Sequence, residues 1–157
     1  MLAAPVPAPH VVKDSMLLAH AKHFGLKTLV ATGMFNGDMM YAMWHHFAKL
    51  NSIELSPELH TRTKGRSAKT PNIELIQGES AVELGKLIPG LTEPALFRFD
   101  CHFSAGETAS GDKHTPVMEE LNALLGSPLA LFIIDDARCF GTDPRISSHE
   151  PIRVTAT

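Results

Sequence analysis

Scarcities in this chain of 157 residues exclude more than its abundances assert. There are two cysteines, Cys101 and Cys139, so no disulfide framework holds the chain. Each follows an apolar run and reads as a buried free thiol, which fits a reducing, cytoplasmic compartment. No run of about 18 apolar residues occurs, so nothing in the sequence reads as a membrane span. The net charge of -3 gives no basic excess of the kind that nucleic acid or a membrane surface would favour. The opening MLAAPVPAPH has no basic stretch and is broken by three prolines. It reads as a flexible arm over residues 1–10 and not as a signal peptide.

What remains is ordinary globular composition, 44% hydrophobic and 20% charged, enough for one domain with a core. Residues 11–23 carry apolar positions at helical spacing, and Gly25 closes that helix. Residues 26–32 form a short apolar strand. A helix then opens at Asn36 or Gly37, with Met40, Met43, Trp44, Phe47 and Leu50 as its core stripe. Residues 52–56, SIELS, read as a second strand, and Pro57 starts another helical turn. Residues 61–70 are polar and basic, the end of that helix and an exposed loop. Residues 72–77 read as a third strand. Ser80 caps a helix through Ile88, with Glu83 at capping-box spacing, and Pro89-Gly90 stops it. ALFRFD, residues 95–100, is a fourth strand. A loop rich in Gly, Ser and Thr leads to a helix over 116–125. LALFIIDD, residues 129–136, is the most apolar strand and reads as buried on both faces.

Strands therefore alternate with helices five times. That pattern predicts an α/β fold, a doubly wound and mostly parallel sheet of about five strands over residues 11–142, with an irregular tail over 143–157. In such sheets ligands bind at the carboxyl ends of the strands. Thr32, Gly33, Phe35 and Gly37 follow the first strand, in a turn whose backbone N–H groups attract polar ligand atoms. Glu54 sits at the tip of the second, about 20 residues beyond the Gly-rich turn, where a carboxylate holds ribose hydroxyls. Gly78, Glu79 and Ser80 follow the third. Asp100 and His102 follow the fourth and share a face, being two apart on an extended chain. Asp135 and Asp136 end the fifth. Asp100, His102 and an Asp of the last pair suit a divalent metal, or a general base with an orienting acid.

ATGMFNG, SIELS, IELIQGES, ALFRFDCHFSAGET and FIIDDARCFGT, in this order and spacing, resemble a class I S-adenosylmethionine-dependent methyltransferase of the bacterial small-molecule type. The likeness covers roughly residues 26–142. It implies a Rossmann-like methyltransferase fold, S-adenosylmethionine as cofactor and a small-molecule hydroxyl as acceptor. Thr32, Gly33 and Gly37 would line the methionine part of the cofactor, Glu54 the ribose, and Gly78, Glu79 and Ser80 the adenine, with Phe35 also binding the cofactor. Asp100, His102 and Asp136 would be catalytic, with Asp100 and His102 beside the cofactor's sulfonium. Related metal-dependent enzymes imply Asp100, Asp135 and Asp136 as ligands for Mg²⁺ or another divalent metal.

Two departures from that pattern stand out. Ala31 occupies a position where the family usually has an acid, and losing a charge-assisted hydrogen bond costs about 1.5–3 kcal/mol. The family's usual last two strands also have no counterpart after the fifth, which leaves an apolar edge that a homodimer or larger homo-oligomer would cover. Two other readings compete. One is a metal-dependent hydrolase using Asp100, His102 and Asp136 with a bound water. The other is a cofactor-binding protein with little or no catalysis. A serine hydrolase fits poorly, since no GxSxG occurs and Ser104 is only near His102 in sequence. Cys101 fits a nucleophile poorly too, because adjacent strand residues point to opposite faces.

Overall fold

The computed structural model describes residues 9–33, 37–100 and 117–135. Cys101, Cys139, residues 1–8 of the arm expected over 1–10, and the tail over 143–157 lie outside them, while His10 of that arm opens a helix. The elements in chain order are α1 (His10–Phe24), β1 (Thr28–Thr32), α2 (Asp38–Met43), β2 (Lys49–Glu54), α3 (Pro57–Ser67), β3 (Ile73–Gln77), α4 (Ser80–Leu87), β4 (Ala95–Asp100), α5 (Val117–Leu124) and β5 (Ala130–Asp135). The sheet order is β3-β2-β1-β4-β5 and every pair is parallel. This is the expected α/β architecture, and its strand order reverses between β1 and β4.

Register explains the two cores. Leu29 pairs with Leu50 and Leu96, and Leu96 pairs with Leu131, so leucines form one row across four strands. That row faces Leu17 and Ala21 of α1 and Met40 and Met43 of α2. On the opposite face Val30, Phe97 and Phe99 pack against Leu84 of α4 and Val117 and Leu124 of α5. Residues two apart on a strand share a face, so each strand feeds both layers.

Several elements differ from the expectation, each for a local reason. The second helix stops at Met43, and Leu50 belongs to β2, not to the helical stripe. The spacing of apolar residues there suits a helix, but the side-chain amide of Asn72 donates to the carbonyls of Trp44 at 2.7 Å and Phe47 at 2.9 Å. It caps the turn and frees the chain to pair with β1 and β3. The second strand thus starts earlier than expected, and Ser56 becomes the N-cap of α3, accepting from the Leu59 N–H at 3.3 Å. Helix α3 continues through most of the basic stretch, to Ser67.

The N-cap of α4 is Glu79 and not Ser80, and no side chain caps it. Glu83 makes an ion pair with Lys86 at 2.7 Å in place of the expected capping box. Among the described residues strand β5 is a sheet edge, and it is not buried on both faces, for Phe132 is 48% exposed.

Asn72 gives a direct test of this account. Asn72→Ala removes both donors to Trp44 and Phe47, and it should lower the unfolding free energy by about 2 kcal/mol in urea denaturation.

Candidate functional site

The carboxyl edge of the sheet gathers its polar residues at the β1/β4 switch point. Gly33 follows β1 with φ +68, and its N–H donates to the Ile53 carbonyl at 3.1 Å. A Cβ on Gly33 would lie 3.6 Å from the Asp100 Cβ, so the tips of β1 and β4 are in contact. Gly37 is the N-cap of α2 with φ +77, and a Cβ there would sit 2.7 Å from Thr63 Cγ2. Only glycine meets both demands without strain.

Glu54 is the last residue of β2 and is buried, its Oε1 accepting from the Ser56 N–H at 2.9 Å. The Gly78 N–H donates to the Glu54 carbonyl at 3.0 Å, which ties the exit of β3 to the tip of β2. Ser80 is the first residue of α4 and half-buried, whereas Glu79 is exposed. Asp100 ends β4 in register with Asp135, and Arg98 Nη2 lies 3.8 Å from its Oδ2. Phe35, His102 and Asp136 lie outside the described residues, as does the side chain of Asp135. Among the described residues no three His, Cys, Asp or Glu side chains are grouped to hold a metal.

One acid escaped the sequence reading. Glu120 of α5 is fully buried, and both its carboxylate oxygens lack a hydrogen-bond partner among the described residues, as does Thr32 Oγ1. Burial pushes its carboxyl above the ordinary range, against the pull of the nearby Ser80 and Thr32 hydroxyls, while Asp100 and Glu119 add to the rise. Those hydroxyls are near enough to favour the charged form yet close no bond of normal geometry, as the unpartnered oxygens show. A signal did exist: Val117, Glu120 and Leu124 are spaced i, i+3, i+7, so an acid sits in the apolar stripe.

The site thus unites Thr32, Gly33, Ser80 and Asp100 with Glu120, and links Glu54 to Gly78. A cavity of about 410 Å³ lies elsewhere, beside Thr28 and Lys49 at the starts of β1 and β2. Its Lys49 and Lys86 are paired with Glu74 at 3.2 Å and Glu83 at 2.7 Å on its own walls, and it holds none of the candidate residues.

Solved structures share this arrangement of strands. The chain aligns with the S-adenosylhomocysteine-bound methyltransferase PaMTH1 of Podospora anserina at TM-score 0.61 and 15% identity, over 86% of this chain and 56% of that one. It aligns with the O-methyltransferase TomG of Streptomyces achromogenes, in complex with S-adenosylmethionine, at 0.57 and 16%, over 83% and 57%. It aligns with the 23S rRNA methyltransferase ErmE at 0.55 and 13%, over 83% and 48%. This is the class I S-adenosylmethionine-dependent methyltransferase fold. The chain spans about half the length of these methyltransferases. No protein-family model matches it, and no curated protein matches it in sequence. No described helix is long and apolar enough to cross a membrane.

Glu120 should make stability depend on pH. A carboxyl raised in the folded state binds its proton more tightly there than in the unfolded chain. Its contribution is present below the ordinary carboxyl range and is lost as pH rises through the raised value. Glu120→Gln should therefore be more stable than the original protein near neutral pH. The gap should close in acid, as read from urea unfolding at a series of pH values.

Proposed function

We propose that this chain binds S-adenosylmethionine at the carboxyl edge of its sheet and directs methyl transfer to a small-molecule hydroxyl. One observation carries the reading. Buried polar atoms without partners among the described residues, Thr32 Oγ1 and the Glu120 carboxylate, lie at the switch point of a fold whose solved examples hold S-adenosylmethionine or its product. A buried polar group left unpaired costs about 1–3 kcal/mol, so a ligand that meets these atoms is favoured. The residues therefore fit a nucleoside cofactor bearing hydroxyl and amine donors.

The cofactor supplies an activated methyl group on sulfonium sulfur. The chain's own residues supply position. Gly33 leaves the end of β1 without a side chain, so a ligand can approach the backbone there. Glu54 presents a carboxylate, already fixed by the Ser56 N–H, at the tip of β2, to which a ribose hydroxyl pair would donate. Asp100, half-buried beside Gly33, is placed to orient the acceptor hydroxyl or receive its proton. A divalent cation held by Asp100 with Asp135 and Asp136 would lower the acceptor's pKa. The net charge of -3 favours a small acceptor over RNA.

Calorimetric titration of S-adenosylmethionine and S-adenosylhomocysteine, with Mg²⁺ and with EDTA, tests the reading. Both should bind saturably, and Glu54→Gln should weaken each by roughly tenfold. No binding of either would overturn it. Activity lost to a chelator and indifferent to S-adenosylmethionine would favour a metal-dependent hydrolase instead.

A further inference from the structure

The cavity of about 410 Å³ beside Thr28 and Lys49 has the size of a small-molecule site and holds none of the strand-end residues considered above. Asn51 of β2 lines it. Asn51 stands two residues before Ile53 and in register with Val30, both in the core under α4 and α5, so its side chain shares their face. The residue is only 1% exposed, and its Oδ1 has no hydrogen-bond partner among the described residues. An amide carbonyl held dry and unpaired is costly. Apolar walls flank it: Ile76 from β3, Leu87 from the end of α4, and Leu91 from the turn beyond. The charged groups around the cavity are paired with one another. Lys49 meets Glu74 at 3.2 Å, and Lys86 meets Glu83 at 2.7 Å. Glu93 adds a carboxylate that accepts from the Thr28 hydroxyl at 3.4 Å. Three glutamates against two lysines in the lining disfavour an anionic ligand. Glu74 is in register with Asn51, and its pair with Lys49 is more than half exposed. Such a pair is weak and can open to admit a ligand to the amide.

We propose that this cavity is a binding site, separate from the strand ends, for a neutral cyclic amide of the kind carried by pyrimidine and 6-oxopurine bases. Asn51 is the residue that reads it. An asparagine side chain presents an acceptor beside a donor. A ring N–H next to a ring carbonyl is the complement. The ring N–H donates to Asn51 Oδ1, and the ring carbonyl accepts from Nδ2. Asparagine makes the same kind of paired contact with a base edge in nucleic-acid recognition. The apolar side chains of Ile76, Leu87 and Leu91 suit the faces of a flat ring. A neutral ring also leaves the two ion pairs and Glu93 without a like charge to oppose. This site stands whether or not S-adenosylmethionine binds at the carboxyl edge.

The test uses uridine and inosine, each with one ring N–H beside a carbonyl, and their counterparts 3-methyluridine and 1-methylinosine, in which a methyl replaces that hydrogen. Calorimetry would measure all four on the original protein, Asn51→Asp and Asn51→Leu, with folding checked by circular dichroism. At least one of the two unmethylated nucleosides should bind saturably. Uridine alone would assign the site to a pyrimidine base, inosine alone to a 6-oxopurine, and both together to the shared amide edge. Methylation should weaken binding by roughly tenfold or more. Asn51→Asp keeps the shape and the acceptor but loses the donor, and it should weaken binding by a similar factor. Asn51→Leu should abolish it. Failure of both nucleosides to bind would overturn the proposal. So would equal affinity for a nucleoside and its methylated counterpart. A folded Asn51→Leu that binds like the original protein would place the nucleoside elsewhere and overturn the proposal too. If Asn51→Leu does not fold, an unchanged affinity in Asn51→Asp overturns the proposal and a reduced one supports it.

Discussion

Parallel register is the constraint on which this structure depends. Because β2, β1, β4 and β5 pair in parallel, their side chains stack in rows across the sheet. A row of leucines lies under α1 and α2. The next row on that face is Ala31, Ser52, Arg98 and Ile133. The strands then end together, which brings Glu54, Asp100 and Asp135 to one edge. A slip of one residue would send each side chain to the other face, so the core and the edge chemistry are fixed by the same pairing.

The two faces carry different charges at that edge. On the side of α1 and α2, Arg98 rises beside Asp100. On the side of α4 and α5, Glu120 is held in apolar surroundings near Thr32 and Ser80. Asp100 is felt by both, through the ion pair on one side and through its repulsion of Glu120 on the other. Removing either Arg98 or Glu120 therefore changes the field at Asp100, and effects of the two are not expected to add.

Much of this was legible in the sequence, for physical reasons that differ by element. ALFRFD and IELIQ read as strands because their runs are short, apolar and bounded by turn residues, and their observed limits agree closely. The rule that ligands sit at strand ends then drew attention to Thr32, Gly33, Glu54 and Asp100. Leu50 misled because helical spacing cannot register the amide of Asn72, which arrives from far along the chain. Ser80 misled because a good capping residue beside another acceptable one does not say where the helix starts. Arg98 and Glu120 were passed over because each is one charged letter in an apolar pattern that already had an explanation. The exposure of β5 depends on what lies next to it in the sheet, which local composition does not encode.

Helix α3 touches the front of α2 in several places. Thr63 sits against Gly37, the Arg66 guanidinium lies 4.5 Å from the centre of the Tyr41 ring, and Arg66 pairs with Asp38 at 3.1 Å. Helix α2 has only six residues and is too short to be stable alone. Helix α3 acts as a brace that holds Gly37 and the start of α2. Side-chain size at position 63 is thus felt beyond its own helix: a larger group there would press on the backbone of Gly37 and move the start of α2.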